Sequence, residues 1–278
     1  MAGLRLRPIS IASVLALVGV FQIGAARADV QVRVIEYKHG DTVMEGYLAY
    51  NDVAYGKRPG VIVGHPWSGI DKFTRERAAA YAELGYVAFV PDIYGKGVRP
   101  DGPPAAATEM KKYMDDRPFL RARALAGLDI LRAQATVDPT KLLAAGYCFG
   151  GAVVLELARS GAELAGVVTF HGSLSNPTPQ DAKNIKARVL VLHGADDPLV
   201  SPKEVEAFQK EMRDASKERK GKNDKELDWQ LVAYGNTVHS FTDRGAGNDN
   251  SKGAAYNENA DKRSWSAMQI FFKEIVNP

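Results

Sequence analysis

The run Gly146-Tyr147-Cys148-Phe149-Gly150-Gly151 sets the chain's one cysteine between an apolar stretch of strand length and a helical pattern. A thiol in that setting has the makings of a nucleophile. A sharp strand-to-helix turn strains the backbone at its apex, and only side-chain-free neighbours let the flanking segments pass closely. The same turn puts the sulfur at a helix N-terminus, where backbone N–H groups favour a thiolate. A free thiol is only about 3% ionised at pH 7, so a base is also needed. The competing reading is an inert thiol in a glycine-rich packing turn, since free cysteine is most often a small buried hydrophobe.

Two partners follow in the order nucleophile, acid, histidine, each on a loop after an apolar strand-length run. After residues 189–192 comes Gly194-Ala195-Asp196-Asp197-Pro198-Leu199-Val200, and after residues 229–234 comes Gly235-Asn236-Thr237-Val238-His239-Ser240-Phe241. His239 can take the thiol's proton and later protonate a leaving alkoxide. Asp197 would fix the imidazole tautomer and support the imidazolium, with Asp196 as the alternative. A developing oxyanion needs two donors: the Phe149 backbone N–H and one from the loop after residues 60–64, best assigned to Trp67. His65 and His193 end strands beside the expected site and could line it or pack. His171 is balanced between pocket wall and packing, and His39 reads as a turn residue. No H-x-x-H, H-E-x-x-H or cysteine pair suggests a metal.

These residues need a scaffold, and the hydrophobic pattern supplies one. Residues 30–37 and 43–50 alternate polar and apolar around a His-Gly-Asp turn, as an antiparallel pair does. Continuous apolar runs at 60–64, 87–90, 141–147, 165–170 and 189–192 read as strands covered on both faces, and 229–234 as a last strand. Helical patterns at 73–84, 119–134, 152–160 and 202–215 lie between them, and 260–276 carries Trp265, Met268, Phe272 and Ile275 on one stripe. Strands alternating with helices predict a mostly parallel central sheet flanked by helices, the α/β-hydrolase arrangement, with right-handed crossovers. The Pro-rich stretch 100–104 reads as a surface loop, part of a cap over the site. The mixed-charge run 210–225 reads as a solvated helix end and loop.

At 278 residues and 45% hydrophobic content the chain can bury one substantial core. Its formal charge of +3 is accounted for by Arg5, Arg7 and Arg27, in an acid-free stretch of 28 residues. No basic stripe with interleaved aromatics supports nucleic-acid binding. Arg5 and Arg7 precede an uncharged, mostly apolar run ending at Ala26-Arg27-Ala28, the pattern of a signal peptide cleaved after Ala28. That predicts an exported protein, periplasmic or secreted, whose mature domain is 29–278. An uncleaved anchor is the alternative, weakened by Ser10, Ser13, Gln22 and two glycines. A lone thiol in an exported protein risks oxidation and asks for a reason.

At these residues the chain resembles the dienelactone hydrolase family, whose elbow reads Gly-Tyr-Cys-x-Gly-Gly. The likeness runs through residues 61–69, Val90-Pro91-Asp92-Ile93-Tyr94-Gly95, the elbow, residues 194–200 and His239-Ser240-Phe241. It implies an α/β-hydrolase fold and a Cys148, Asp197, His239 triad. It also implies hydrolysis of a small ester or lactone, without metal or organic cofactor. In the family's best-known members a glutamate stands where this chain has Pro66 and helps to activate the thiol, so activation here must differ. Arginines bind a substrate carboxylate in those members; here Arg117, Arg121 and Arg244 are candidates, with His171 as a possible pocket residue. Thioesters or peptides on the same fold, or a non-catalytic binding protein, are the other readings. Oligomeric state is not legible.

Overall fold

The computed structural model describes residues 29–52, 56–222 and 225–277, so the 1–28 leader lies outside the described residues. Eight strands form one sheet in the order β1-β2-β4-β3-β5-β6-β7-β8. β1 (Val30–His39) and β2 (Thr42–Asn51) make an antiparallel hairpin, and β2 pairs antiparallel with β4 (Val87–Val90). β3 (Arg58–Gly64), β5 (Val137–Tyr147), β6 (Gly166–Phe170), β7 (Arg188–Gly194) and β8 (Trp229–Tyr234) continue from β4 in parallel.

Successive side chains of a strand point to opposite faces, so each apolar run serves two cores. Ile62, Phe89, Ala144 and Val191 enter one core with α3 (Arg117–Arg132), α4 (Phe149–Arg159) and α5 (Pro202–Lys220). Val61, Val63, Ala88, Ala145 and Leu190 enter the other with α1 (Lys72–Glu83) and α6 (Glu258–Val276). Being covered on both sides is why these strands are uniformly apolar.

The Pro-rich stretch differs from expectation. It opens a helix, α2 (Gly102–Asp115), with prolines in its exposed first turn, where a missing N–H costs nothing. Tyr113 of α2 packs on Tyr94 with ring centroids 5.2 Å apart. The charged run after residue 210 mostly extends α5, whose first turn is capped by Ser201. Among the described residues no helix is long and apolar enough to cross a membrane.

Candidate active site

β5 ends at Tyr147 and α4 starts at Phe149, leaving Cys148 alone at the apex with φ 55° and ψ −120°. For a residue with a Cβ that backbone is strained, and the surroundings hold it. The Cys148 N–H donates to the Phe170 carbonyl at 3.2 Å. Glycine is required beside it: a Cβ on Gly146 would lie 2.0 Å from the Gly150 carbonyl oxygen, and one on Gly150 would lie 2.1 Å from that of Gly64. Strand β5 and helix α4 can meet this closely only without side chains.

Asp197 and His239 come from the two loops beyond β7 and β8, and His239 faces the thiol. Those loops are stitched together, with Asp196 N–H donating to the Thr237 carbonyl at 3.0 Å. His239 is gripped by the chain after it, through His239 N–H to Gly253 O at 3.2 Å and Ala255 N–H to His239 O at 3.0 Å. The His239 Nδ1 lies 2.7 Å from Asp197 Oδ2, and Asp197 Oδ1 accepts from Leu199 N–H at 2.8 Å. Asp196 is exposed and makes no such contact, so the geometry selects Asp197. The other His239 nitrogen, Nε2, is buried and unpartnered at strict hydrogen-bond geometry. It is close enough to the Cys148 sulfur for each group to set the other's ionisation.

The electrostatics run against burial. Desolvation pushes the Cys148 thiol up, but the His239 imidazolium and the backbone N–H groups of Phe149 and Trp67, which donate to the sulfur, bring it below its ordinary value. Desolvation pushes His239 down, but the Cys148 thiolate and the Asp197 carboxylate raise it above its ordinary value. A thiolate–imidazolium pair is the state these shifts describe. The Phe149 and Trp67 N–H groups converge on one sulfur, as a two-donor oxyanion hole requires.

The remaining candidates fare differently. His171 is only 2% exposed and stands behind His239, ring centroids 5.1 Å apart at 65°. Its Nε2 is 2.8 Å from Thr242 Oγ1, and burial, with the His239 and Arg77 charges, holds it neutral. It packs behind His239, closed off from solvent, which corrects its reading as a pocket residue. Arg117 and Arg121 are likewise corrected, because both belong to a buried ion network. Arg121 lies 2.7 Å from Glu156 on one side and 2.7 Å from Asp181 on the other. Arg117 is buried, bonded to Ser175 Oγ at 3.0 Å and 3.9 Å from Glu156. Their charge is spent between helices. Arg244 is exposed, its guanidinium 5.6 Å from the Tyr256 ring centroid, on a cleft of about 600 Å³ between α1 and the loop after His239.

Tyr94 is a residue that pattern reading missed. Its ring stacks on Phe149 at 5.7 Å, and its hydroxyl donates to the Trp67 carbonyl at 3.0 Å. Its segment was visible in the sequence, but nothing in a spacing says which loop a tyrosine reaches.

A strained cysteine between strand and helix, with an acid and a histidine on the loops beyond β7 and β8 of a mostly parallel sheet, is the arrangement of an α/β-hydrolase fold. The chain belongs to the dienelactone hydrolase family, which it matches over residues 44–276. Among solved structures it is similar to one named m3DLH, 41% identical, covering 88% of this chain and 98% of that one with TM-score 0.82. It is also similar to a dienelactone hydrolase-like promiscuous phosphotriesterase from metagenomic libraries, 40% identical over 88% and 98% of the two chains, TM-score 0.81. A Salmonella typhimurium protein named as a carboxymethylenebutenolidase is 25% identical over 83% of each chain.

Proposed function

We propose that this hydrolase opens small carboxylic esters or lactones by covalent catalysis at Cys148, and that it acts after export and removal of residues 1–28. The observation that carries the reading is the convergence of His239 and two backbone N–H groups on the sulfur of one partly buried cysteine. The thiolate attacks the carbonyl carbon, and the oxyanion forms between the Trp67 and Phe149 N–H groups. Collapse of that intermediate expels the alkoxide, which takes its proton from the His239 imidazolium and leaves a thioester. The neutral His239 then takes a proton from water as the water attacks the thioester, and collapse of this second intermediate breaks the C–S bond, releasing the acid and restoring the thiolate and imidazolium. Asp197 keeps the ring in register throughout. Pro66 carries no acid, so His239 and the Phe149 and Trp67 N–H groups charge the thiol. Arg244, exposed on the loop after His239, is the candidate contact for a substrate carboxylate.

The names of the Salmonella relative and of a Bradyrhizobium relative called a 2-oxo-3-(5-oxofuran-2-ylidene)propanoate lactonase, 28% identical over 71% of this chain, support a lactone substrate. Phosphotriester hydrolysis is a second reading, supported by the phosphotriesterase named above. The test is turnover of p-nitrophenyl acetate and of a phosphotriester with the same leaving group, with and without iodoacetamide. Iodoacetamide should abolish ester turnover and Cys148→Ala should lose the covalent route. Cys148→Ser should fall by about two orders of magnitude or more, the scale of a positioned catalytic group. An alanine variant as active as wild type ends the proposal.

A further inference from the structure

The Trp67 N–H that donates to the Cys148 sulfur belongs to the same planar unit as the Pro66 carbonyl. No cis peptide bond occurs among the described residues, so this carbonyl points away as the N–H points in. Two donors hold the carbonyl. The Gly69 N–H reaches it at 3.0 Å, closing a turn over residues 66–69, and His65 Nδ1 lies 2.7 Å from it. The far side of the ring fixes the tautomer. The Ile93 N–H donates to His65 Nε2 at 3.3 Å, so Nε2 is bare and the proton sits on Nδ1. His65 is wholly buried, and desolvation holds it neutral. Proline at 66 adds a fixed φ and no N–H to compete for these acceptors.

We propose that His65 is the positioning residue of the oxyanion hole, its Nδ1–H pinning the Pro66 carbonyl so that the Trp67 N–H is aimed at the oxyanion and polarised toward it. The inference rests on the reading of Cys148 as nucleophile and Trp67 as donor. An amide that accepts at its carbonyl donates more strongly at its N–H. A donor already fixed in place needs no reorganisation when charge develops. His65 also ties the Trp67 loop to the chain after β4, and the Tyr94 hydroxyl secures the next carbonyl from that same segment.

Two variants separate aiming from mere packing. His65→Asn keeps a donor near the Nδ1 position, whereas His65→Gln keeps only a group near Nε2. For p-nitrophenyl acetate, His65→Gln should lose about 10- to 100-fold in kcat, less than deleting an oxyanion donor outright. KM should stay within about twofold, because the contact matters chiefly in the transition state. Alkylation of Cys148 by iodoacetamide forms no oxyanion and needs only the thiolate, which His239 and the Phe149 N–H stabilise more than the Trp67 N–H does, so its rate should stay within about threefold. His65→Asn should recover most of the lost kcat. Equal losses in the two variants, alkylation falling with kcat, or an unchanged His65→Gln would overturn the inference. The wild type offers an independent check if either variant misfolds: imidazole ¹⁵N spectra should show His65 as the Nδ1–H tautomer from about pH 5 to about pH 9. An Nε2–H tautomer or a titration in that range overturns it as well. Wild-type turnover in Cys148→Ala would instead remove the underlying reading, a result that involves no change at His65.

Discussion

Cys148 and His239 titrate in separate ranges in water, and their contact makes one coupled system of them. A thiol lowered against its own burial stays charged to lower pH, and an imidazole raised against its own burial keeps its proton to higher pH. The ion pair therefore exists from the thiol's lowered pKa upward and is lost only as pH rises through that of His239. Iodoacetamide alkylation of native Cys148 should accordingly reach its plateau at lower pH than a free thiol does, and decline on the acid side of that plateau. An ordinary thiol would instead gain about tenfold per pH unit up to about 8.5, and such a profile would rule out the pair. Replacing Asp197 by Asn removes a carboxylate that raises His239, so the plateau should begin at higher pH. In steady-state assays its kcat should fall less than that of His239→Ala, since the acid mainly orients. The exposed neighbour sets the control, with Asp196→Asn leaving rate and profile as in wild type.

Helices α3, α4 and α5 are fastened by charge as well as by apolar contact. Glu156, wholly buried, faces Arg117, Arg121 and Arg159, and Arg159 makes a two-point contact with Glu211 at 2.9 Å each. Such a network stabilises little over a well-packed apolar core, but losing one partner strands the others. Arg121→Ala should cost about 2 kcal/mol in urea unfolding, less than the about 3–5 kcal/mol of a broken isolated pair, because two arginines still face Glu156. The KM for esters with and without a carboxylate should not move; a rise confined to the carboxylate ester would return Arg121 to the substrate. The elbow is fastened by shape instead. Gly150→Ala drives a Cβ into the Gly64 backbone, so it should destabilise by about 3 kcal/mol or more in thermal denaturation. If Gly150→Ala were as stable as wild type, strand and helix would not meet as closely as described.

For the molecule as a whole, β1 begins at Val30, so cleavage after Ala28 would leave the first strand complete. N-terminal sequencing of exported protein should therefore start at Asp29, and material retained in the membrane with Met1 intact would contradict export with cleavage. The sequence by itself determined the order of strands and helices along the chain apart from α2, because apolar periodicity records which faces are covered. It also showed the elbow, because the glycine pattern lies in one short run, although Gly150 answers to Gly64 on a distant strand. Loop positions of acid and histidine were legible from chain order alone. The tertiary structure decided between Asp196 and Asp197, since the direction of each side chain depends on how the β7 and β8 loops are stitched together. It took Arg117 and Arg121 away from the substrate and set His171 behind His239, because their partners, Glu156, Asp181 and Thr242, lie tens of residues away along the chain. It alone brought Ile93 and Tyr94 onto the loop of His65 and Trp67. A spacing reports which residues lie close along the chain, and those contacts form only when distant segments pack.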